Sequence, residues 1–290
     1  MVIADRCALL VNHVFNNWQH YYGFVIIIAA IFFAFQIYCD FAGYSYIAIG
    51  AAEVMGFRLM ENFRQPYFAC SIQEFWRRWH ISLSTWFRDY LYIPLGGSRC
   101  SRIRKYVNVM VTFLASGVWH GASWNFIVWG GLHGAYQIIG DILKPARERL
   151  IKLLNINLHA ESYKFFQMLV TFMLTTIGWI FFRAAGFRNA LHIGWHIVKE
   201  GLQPWVFFDK TLYSLGLNEI EFRTALAAIA VLLVANTIQY RSPLTSVRAI
   251  IARQNLAFKY AFYLIAIFSV LIFGMYGPEY HAQDFIYFQF

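Results

Sequence analysis

The sequence predicts an all-α, polytopic transmembrane protein, and three observations support this class. Hydrophobic residues make up 59% of the 290 residues and charged residues only 13%, whereas ordinary soluble domains contain about 45–50% and about 25%. The apolar residues occur in long blocks, and the basic residues that give a net charge of +9 lie between these blocks. This pattern excludes a disordered chain, a collagen-like repeat and a coiled coil, and it does not favour nucleic-acid binding.

The apolar blocks approach the length of a membrane-spanning helix, which needs about 20 residues. We expect five to seven crossings, because the shorter blocks can be re-entrant where protein or water satisfies their backbone. The blocks are residues 23–39, 41–56, 106–119, 124–139, 165–182, 224–238 and 258–274.

The loops between the blocks predict the orientation of the chain. Residues 98–105, 144–152 and 241–253 are rich in Lys and Arg, which is typical of cytoplasmic loops. Residues 188–221 and 278–290 then lie on the outer side.

An amphipathic helix is predicted between the second and third blocks. Ser71 and Glu74 have the spacing of a capping box, apolar residues recur every three or four positions after them, and Pro94 ends the element. A helix with this many tryptophans and arginines lies in the membrane interface or dips into the bilayer. It is either a peripheral anchor or one wall of a substrate cavity, and in the second case Trp76 and Arg77 are candidate cavity residues.

His120 is the leading candidate for catalysis. It lies between two uncharged blocks, flanked by Trp119 and Trp124, with Gly117 and Gly121 leaving room for a close approach. An imidazole with a pKa near about 6.5 can remain neutral and accept a proton from a hydroxyl group. The alternative is a histidine that hydrogen bonds a neighbouring helix.

Other polar residues are weaker candidates. His80, on the amphipathic helix, faces either a cavity or the lipid headgroups, and the glycines around His133 also fit close helix packing. Asp40 either orients a group in a cavity or marks a helix end. His192 and His196 are one helical turn apart, but no third ligand accompanies them. We therefore expect no metal site.

Several strings occur in an order that strongly resembles the membrane-bound O-acyltransferase family, and the bacterial alginate O-acetyltransferase branch in particular. The resemblance is firmest over residues 36–140 and extends by hydropathy to one integral-membrane domain over residues 1–290. The strings are residues 40–45 (DFAGYS), 61–67 (ENFRQPY), 75–97 (FWRRWHISLSTWFRDYLYIPLGG), 117–121 (GVWHG), 131–134 (GLHG) and 285–290 (FIYFQF).

The resemblance implies a fold, a reaction and partners. It implies a ring of tilted helices around a central tunnel, with shorter helices dipping in from each face. It assigns His120 to the catalytic histidine of the family and His80 to a second important polar position. It also implies a bacterial inner-membrane enzyme with no bound cofactor, in which a cytoplasmic donor such as acetyl-CoA supplies an acyl group. A periplasmic acyltransferase of the SGNH type then places that group on an exported polysaccharide such as alginate.

We therefore predict that His120 is the general base, that His80 positions the donor or the acceptor, and that six further residues line the tunnel. Two rivals stay open, namely D-alanyl transfer toward teichoic acids and a non-catalytic membrane scaffold or transporter. Members of this branch carry several more spans before the residues 40–45 string, so we expect a chain truncated at its N-terminus. The six residues are Trp119, Trp124, Asp40, Trp76, Arg77 and His133.

Overall fold

The structure, a computed structural model, describes residues 2–242 and 246–276, and every regular element in these residues is helical. The all-α class is therefore confirmed for this part of the chain. The whole predicted outer segment 278–290, including residues 285–290 that complete the family resemblance, lies outside the described residues. The helices are α1 (Ala4–Asn16), α2 (Gly23–Val54), α3 (Ile72–Arg78), α4 (Ile81–Phe87), α5 (Arg102–His120), α6 (Trp124–Ile142), α7 (Lys144–Leu153), α8 (Glu161–Arg183), α9 (Phe187–Glu200), α10 (Glu219–Arg241), α11 (Val247–Ala252) and α12 (Leu256–Phe273).

Four of the described helices are long and apolar enough to cross a membrane, namely α2, α8, α10 and α12. The division of the first apolar stretch into blocks 23–39 and 41–56 is wrong, because both belong to the single 32-residue helix α2. Only Asp40 separates the two blocks, α2 contains no proline, and each of its interior glycines, Gly43 and Gly50, costs only about 1 kcal/mol relative to alanine. At 1.5 Å per residue α2 is about 48 Å long, so it tilts in the membrane or extends beyond the hydrocarbon layer.

The described residues form two compact units. One contains the residues up to 44 and those from 195 onward, and in it α1 packs against α10. His196 belongs to this unit, where its Nε2 lies 2.9 Å from the Tyr21 carbonyl oxygen and its ring contacts Trp18. Among the described residues, no group of three or more His, Cys, Asp or Glu side chains could hold a metal ion.

The second unit is Ser45–Gly194, and within it the predicted amphipathic helix begins as expected. Ser71 accepts a hydrogen bond from the Glu74 backbone N–H at 3.2 Å. The Glu74 carboxylate accepts the N–H of Cys70 at 2.8 Å instead of the N–H of Ser71, so only half of the predicted capping box forms. Helix α3 is nevertheless capped by Ser71, and Glu74 ties the residue that precedes the cap to the first turn.

A single amphipathic helix over residues 71–91 is wrong, because the helix is interrupted at His80. There φ is +44° and ψ is +56°, a left-handed conformation that residues other than glycine rarely adopt. Helix α4 follows this break and continues into a π-helical turn at Arg88–Tyr92.

The cause of the break is a second segment of chain that pairs with the backbone on each side of His80. The N–H of Arg64 donates to the carbonyl oxygen of Arg78 at 2.9 Å, and the N–H of Ile81 donates to the carbonyl oxygen of Asn62 at 3.0 Å. These bonds satisfy the backbone groups that a continuous helix would use internally. Periodicity within residues 71–91 carries no information about this long-range pairing.

Helices α5 and α6 approach each other closely at two glycines. A Cβ atom on Gly117 would overlap the carbonyl oxygen of Phe126, and a Cβ atom on Gly130 would overlap the carbonyl oxygen of Phe113. Small residues of this kind let helix backbones approach closely in membranes. The end of α5 that carries His120 is thereby fixed against the start of α6.

We predict that Gly130→Ala destabilises the protein and that the neighbouring Gly131→Ala does not. The added methyl at residue 130 must displace backbone, an overpacking that typically costs about 1–3 kcal/mol. The same methyl at residue 131 meets only the Leu114 side chain at an ordinary 3.6 Å. Unfolding of the purified variants in detergent measures both changes, and equal stability of the two variants would show that the close approach is absent.

Candidate functional site

A cavity of about 840 Å³ lies in the Ser45–Gly194 unit, lined by α3, α4, α5, α6, α7 and α8. Along α5 its wall runs from Lys105 to Ser116, which corresponds to about 16 Å at 1.5 Å per residue. The volume is in the range of ligand sites, about 300–1,000 Å³. The cavity can therefore hold an elongated molecule parallel to α5.

The lining of the cavity is strongly basic, and three of its cations, Lys105, Lys144 and Arg147, lie where α5 begins and α6 passes into α7. Asp141 is the single acidic residue among the lining residues, and it accepts hydrogen bonds from Lys105 Nζ at 3.0 Å and from the Tyr106 hydroxyl at 2.9 Å. These bonds, Lys105 first, lower the pKa of the Asp141 carboxyl, which therefore stays ionised and holds Lys105 at this end. The cationic lining residues are Arg77, Arg88, Lys105, Lys144 and Arg147.

The other end of the cavity is aromatic. Trp76, Phe113 and Ser116 line it, and the Trp76 Nε1–H donates to His133 Nδ1 at 3.2 Å in a buried hydrogen bond. The His133 ring also contacts Phe113, with ring centroids 6.3 Å apart. This end therefore presents mostly aromatic surface to the cavity.

His133 lies behind the cavity wall and not on the cavity surface, because it is absent from the lining residues and completely buried. Its Nε2 faces Gly178 of α8, where a Cβ atom would come within 2.8 Å. Since Nδ1 accepts from Trp76, the proton of the neutral ring is on Nε2. His133 therefore supports the wall through Trp76.

His120 ends α5 one helical turn beyond Ser116, just past the inner end of the cavity. Its ring contacts Trp119, Trp129 and Phe182 with centroid separations of 5.0, 5.0 and 5.4 Å. Trp129 also contacts Trp76 at 5.6 Å, so two indoles separate the imidazole from the cavity. His120 is half-buried, and Trp119 beside it is half exposed. The imidazole thus lies between the cavity and an open surface.

His80 is close to this histidine although 40 positions separate the two residues in the chain. Its ring lies 6.4 Å from that of Trp119, which contacts both imidazoles. His80 lies outside the four candidate spans; burial, with a smaller contribution from His120, lowers the pKa of His80 to about 3. The His80 ring is therefore neutral at physiological pH.

Two further residues around His80 escaped the sequence reasoning. The Ser82 hydroxyl lies 2.6 Å from Asn62 Oδ1 and 3.4 Å from His80 Nδ1, and Asn62 Nδ2 lies 3.4 Å from the Ser45 hydroxyl. Asn62 belongs to the 61–67 string and Ser45 to the 40–45 string. The sequence signal for these residues was their occurrence in three separate family strings. The fold brings residues of these strings together at His80.

The remaining predicted residues are placed as follows. Trp76 and Arg77 both line the cavity. Trp124 is 71% exposed and does not line it. Asp40 lies inside α2 and in the other unit, so it does not mark a helix end. Its role in orienting a cavity group stays a prediction.

The fold and this site define a membrane-embedded helical protein with a histidine at the inner end of a basic cavity. The model of the membrane-bound O-acyltransferase family, MBOAT, matches residues 12–175. The chain therefore belongs to that family.

The names of relatives within the family refer to different polymers. The chain is 40% identical to the probable alginate O-acetylase of Azotobacter vinelandii over 84% of this chain and 46% of the relative. It is 37% identical to the peptidoglycan O-acetyltransferase of Helicobacter pylori over 67% of this chain and 35% of the relative. It is 31% identical to the teichoic acid D-alanyltransferase of Streptococcus thermophilus over 55% of this chain and 41% of the relative. The chain thus spans less than half the length of each of these relatives.

We predict that Trp76→Phe and His133→Leu each destabilise the protein, and that the double variant loses less stability than the sum. Each single change leaves one buried polar group unpaired, which costs about 1–3 kcal/mol, whereas the double change removes both partners. Contacting residues typically show a coupling of about 0.5–3 kcal/mol.

Unfolding of the four proteins in detergent measures this coupling. Trp86→Phe is the control, because Trp86 is 52% exposed and should change stability little. Strictly additive effects would show that the indole and the imidazole are not hydrogen bonded.

Proposed function

We propose that this protein is a membrane-bound O-acyltransferase of the bacterial inner membrane that passes an acetyl group from a cytoplasmic donor toward the O-acetylation of an exported polysaccharide such as alginate. The observation that carries the proposal is the position of His120. This residue lies one helical turn beyond the inner end of the cavity and next to a half-exposed tryptophan. The donor occupies the cavity, its acyl group reaches His120 past the indoles of Trp76 and Trp129, and an acceptor hydroxyl approaches from the open side at Trp119.

The chemistry of the cavity supports a phosphate-bearing thioester as donor. Five cationic side chains line it against one carboxylate, and cationic side chains bind phosphate by charge-assisted hydrogen bonds. The aromatic end is suited to an uncharged acyl chain or acetyl group, because Trp76 and Phe113 line it. Acetyl-CoA has both features in the right order along the roughly 16 Å wall, and the reaction needs no bound cofactor.

In the proposed reaction a neutral His120 accepts the proton of the acceptor hydroxyl. The hydroxyl oxygen attacks the thioester carbonyl carbon, the carbon–sulfur bond breaks, and the thiol leaves with the proton that His120 returns. General base catalysis of this kind is typically worth about 10²–10⁴ in rate. His80 positions the substrate, and Trp119 lines the passage on the open side. A periplasmic acyltransferase of the SGNH type then places the acetyl group on the polysaccharide, with the exopolysaccharide machinery as a further partner.

D-alanyl transfer toward teichoic acids is the second candidate. It is supported by the similarity to teichoic acid D-alanyltransferases, which reaches 32% identity for the Bacillus subtilis protein over 45% of this chain. This reaction would take D-alanine from a thioester on a carrier protein. Membranes that contain the protein, supplied in parallel with labelled acetyl-CoA and with the labelled D-alanyl thioester of the carrier protein, separate the two reactions by the label found in the polymer. Transfer of neither label would favour a non-catalytic scaffold or transporter.

His120→Ala is expected to abolish polymer acetylation without loss of the protein from the membrane. The change removes the proposed base but no large part of the packing, since His120 is half-buried. Acetyl groups on the polymer are measured by mass spectrometry, and the amount of protein by immunoblot of the membrane fraction. His159→Ala, at an exposed histidine, is the control that should keep activity. Full acetylation by the His120 variant would refute the assignment.

Reversal of charge at the basic end is expected to weaken donor binding. Lys144→Glu with Arg147→Glu should raise the KM for acetyl-CoA about tenfold or more, equivalent to about 1.4 kcal/mol, and leave kcat nearly unchanged because both residues are remote from His120.

Arg149→Glu with Lys152→Glu is the matched control, because both residues lie on the same helix α7 but do not line the cavity. The kinetics of labelled acetyl transfer report KM and kcat for each variant. An equal rise in KM for the control variant would show that only the total charge of the surface matters.

A further inference from the structure

We propose that Ser82 and Asn62 are positioning residues that hold His80 as the tautomer with its proton on Nδ1, so that His80 Nε2 accepts a hydrogen bond from the substrate. This inference rests on the proposed function for the identity of the substrate, but the tautomer itself can be tested without any turnover. All four residues of the network, including Ser45, lie in the Ser45–Gly194 unit. One proton position in this network is fixed by the covalent structure.

That fixed position is the backbone N–H of Ser82, which can only donate. It lies 3.2 Å from the side-chain oxygen of Asn62, so the atom facing Ser82 must be the acceptor Oδ1 and not the amide nitrogen. The amide nitrogen of Asn62 then points toward the Ser45 hydroxyl, 3.4 Å away, to which it donates. The orientation of the Asn62 amide is therefore fixed.

The hydroxyl proton of Ser82 follows from that orientation. Ser82 Oγ lies 2.6 Å from Asn62 Oδ1, a distance typical of an O–H···O hydrogen bond. Asn62 Oδ1 has no proton to give, so the single hydroxyl proton of Ser82 lies between these two oxygens. Toward every other neighbour, Ser82 Oγ is consequently an acceptor.

The tautomer of His80 follows from the acceptor role of Ser82 Oγ. His80 Nδ1 lies 3.4 Å from Ser82 Oγ, and an acceptor at that position favours a proton on Nδ1. A neutral imidazole carries only one N–H, so its Nε2 presents a lone pair. This makes His80 a hydrogen-bond acceptor toward substrate, and it excludes His80 Nε2 as a donor to the developing oxyanion of the thioester.

The backbone keeps the imidazole in this place. His80 adopts a left-handed conformation, with φ at +44°, and such conformations in residues other than glycine persist where the surrounding structure imposes them. Here the N–H of Ile81 donates to the carbonyl oxygen of Asn62 at 3.0 Å. Asn62 therefore holds the backbone beside His80 through its main-chain carbonyl group and holds the Ser82 side chain through its amide oxygen. His80 Nε2 is shielded from solvent, and the ring of Trp119 contacts that of His80.

The primary test is nitrogen NMR of the whole chain, labelled with ¹⁵N at histidine and placed in lipid nanodiscs at neutral pH. The difference spectrum between the unchanged protein and His80→Gln identifies the His80 signals. We expect Nδ1 in the protonated range and Nε2 in the unprotonated range. In Ser82→Ala the Nδ1 proton loses its acceptor, and the two signals should move toward the opposite tautomer.

Ser84→Ala is the control for this measurement. Ser84 lies on the same helix α4, and its hydroxyl donates to the Trp79 carbonyl oxygen at 3.2 Å, so its removal should leave the His80 signals unchanged. A His80 ring with its proton on Nε2 in the unchanged protein, or the same spectrum in Ser82→Ala, would overturn the proposal whatever the reaction is.

Acetyl transfer provides the second readout. Ser82→Ala should lower kcat/KM about tenfold, the effect of one lost hydrogen bond, and Ser82→Thr, which keeps the hydroxyl, should restore it. If transfer occurs in the unchanged protein and Ser82→Ala is fully active, the positioning role is wrong and the proposed function stands. If no transfer occurs in the unchanged protein, the proposed function fails, while the NMR result still decides the tautomer.

Discussion

The close approach of α5 and α6 is the constraint on which the site depends. Gly117 and Gly130 have no room for a Cβ atom, so the two helix backbones are in contact at the level where α5 ends. This contact places Trp129 of α6 beside His120 and within reach of Trp76. Without it, the aromatic end of the cavity and the imidazole beyond it would not be neighbours.

The second constraint is the pairing of residues 62–64 with the backbone around His80. This pairing converts one helix into two short ones and leaves the residue between them in a left-handed conformation. In a continuous helix, the helix itself would set the orientation of the His80 imidazole. Here Asn62 and Ser82 set that orientation. A backbone conformation that costs energy is thus maintained at a point where the direction of a side chain matters.

Charge and hydrophobicity change along the cavity, so a bound molecule has a preferred orientation in it. Lys105, Lys144 and Arg147 lie toward one end of the lining and Trp76 and Phe113 toward the other, and the Asp141 carboxylate accepts hydrogen bonds from Lys105 and Tyr106. Because α5 contributes residues at both ends, a bound molecule is oriented by the helix itself. The chemistry of the cavity therefore agrees with the family relationship, although the two are independent observations.

The sequence by itself determined the all-α membrane class, the candidacy of His120 and the family resemblance, because composition, apolar block length and ordered strings are local properties. Only the tertiary structure decided that residues 23–54 are one helix, that the amphipathic helix breaks at His80, and that His133 supports a wall instead of lining it. Asn62 and Ser82 could not be found from spacing, since 20 residues separate them in the chain and their role arises from a backbone pairing between distant segments. Long-range contacts of this kind leave no periodic signal, and for that reason the position of each side chain in the site was decided by the fold.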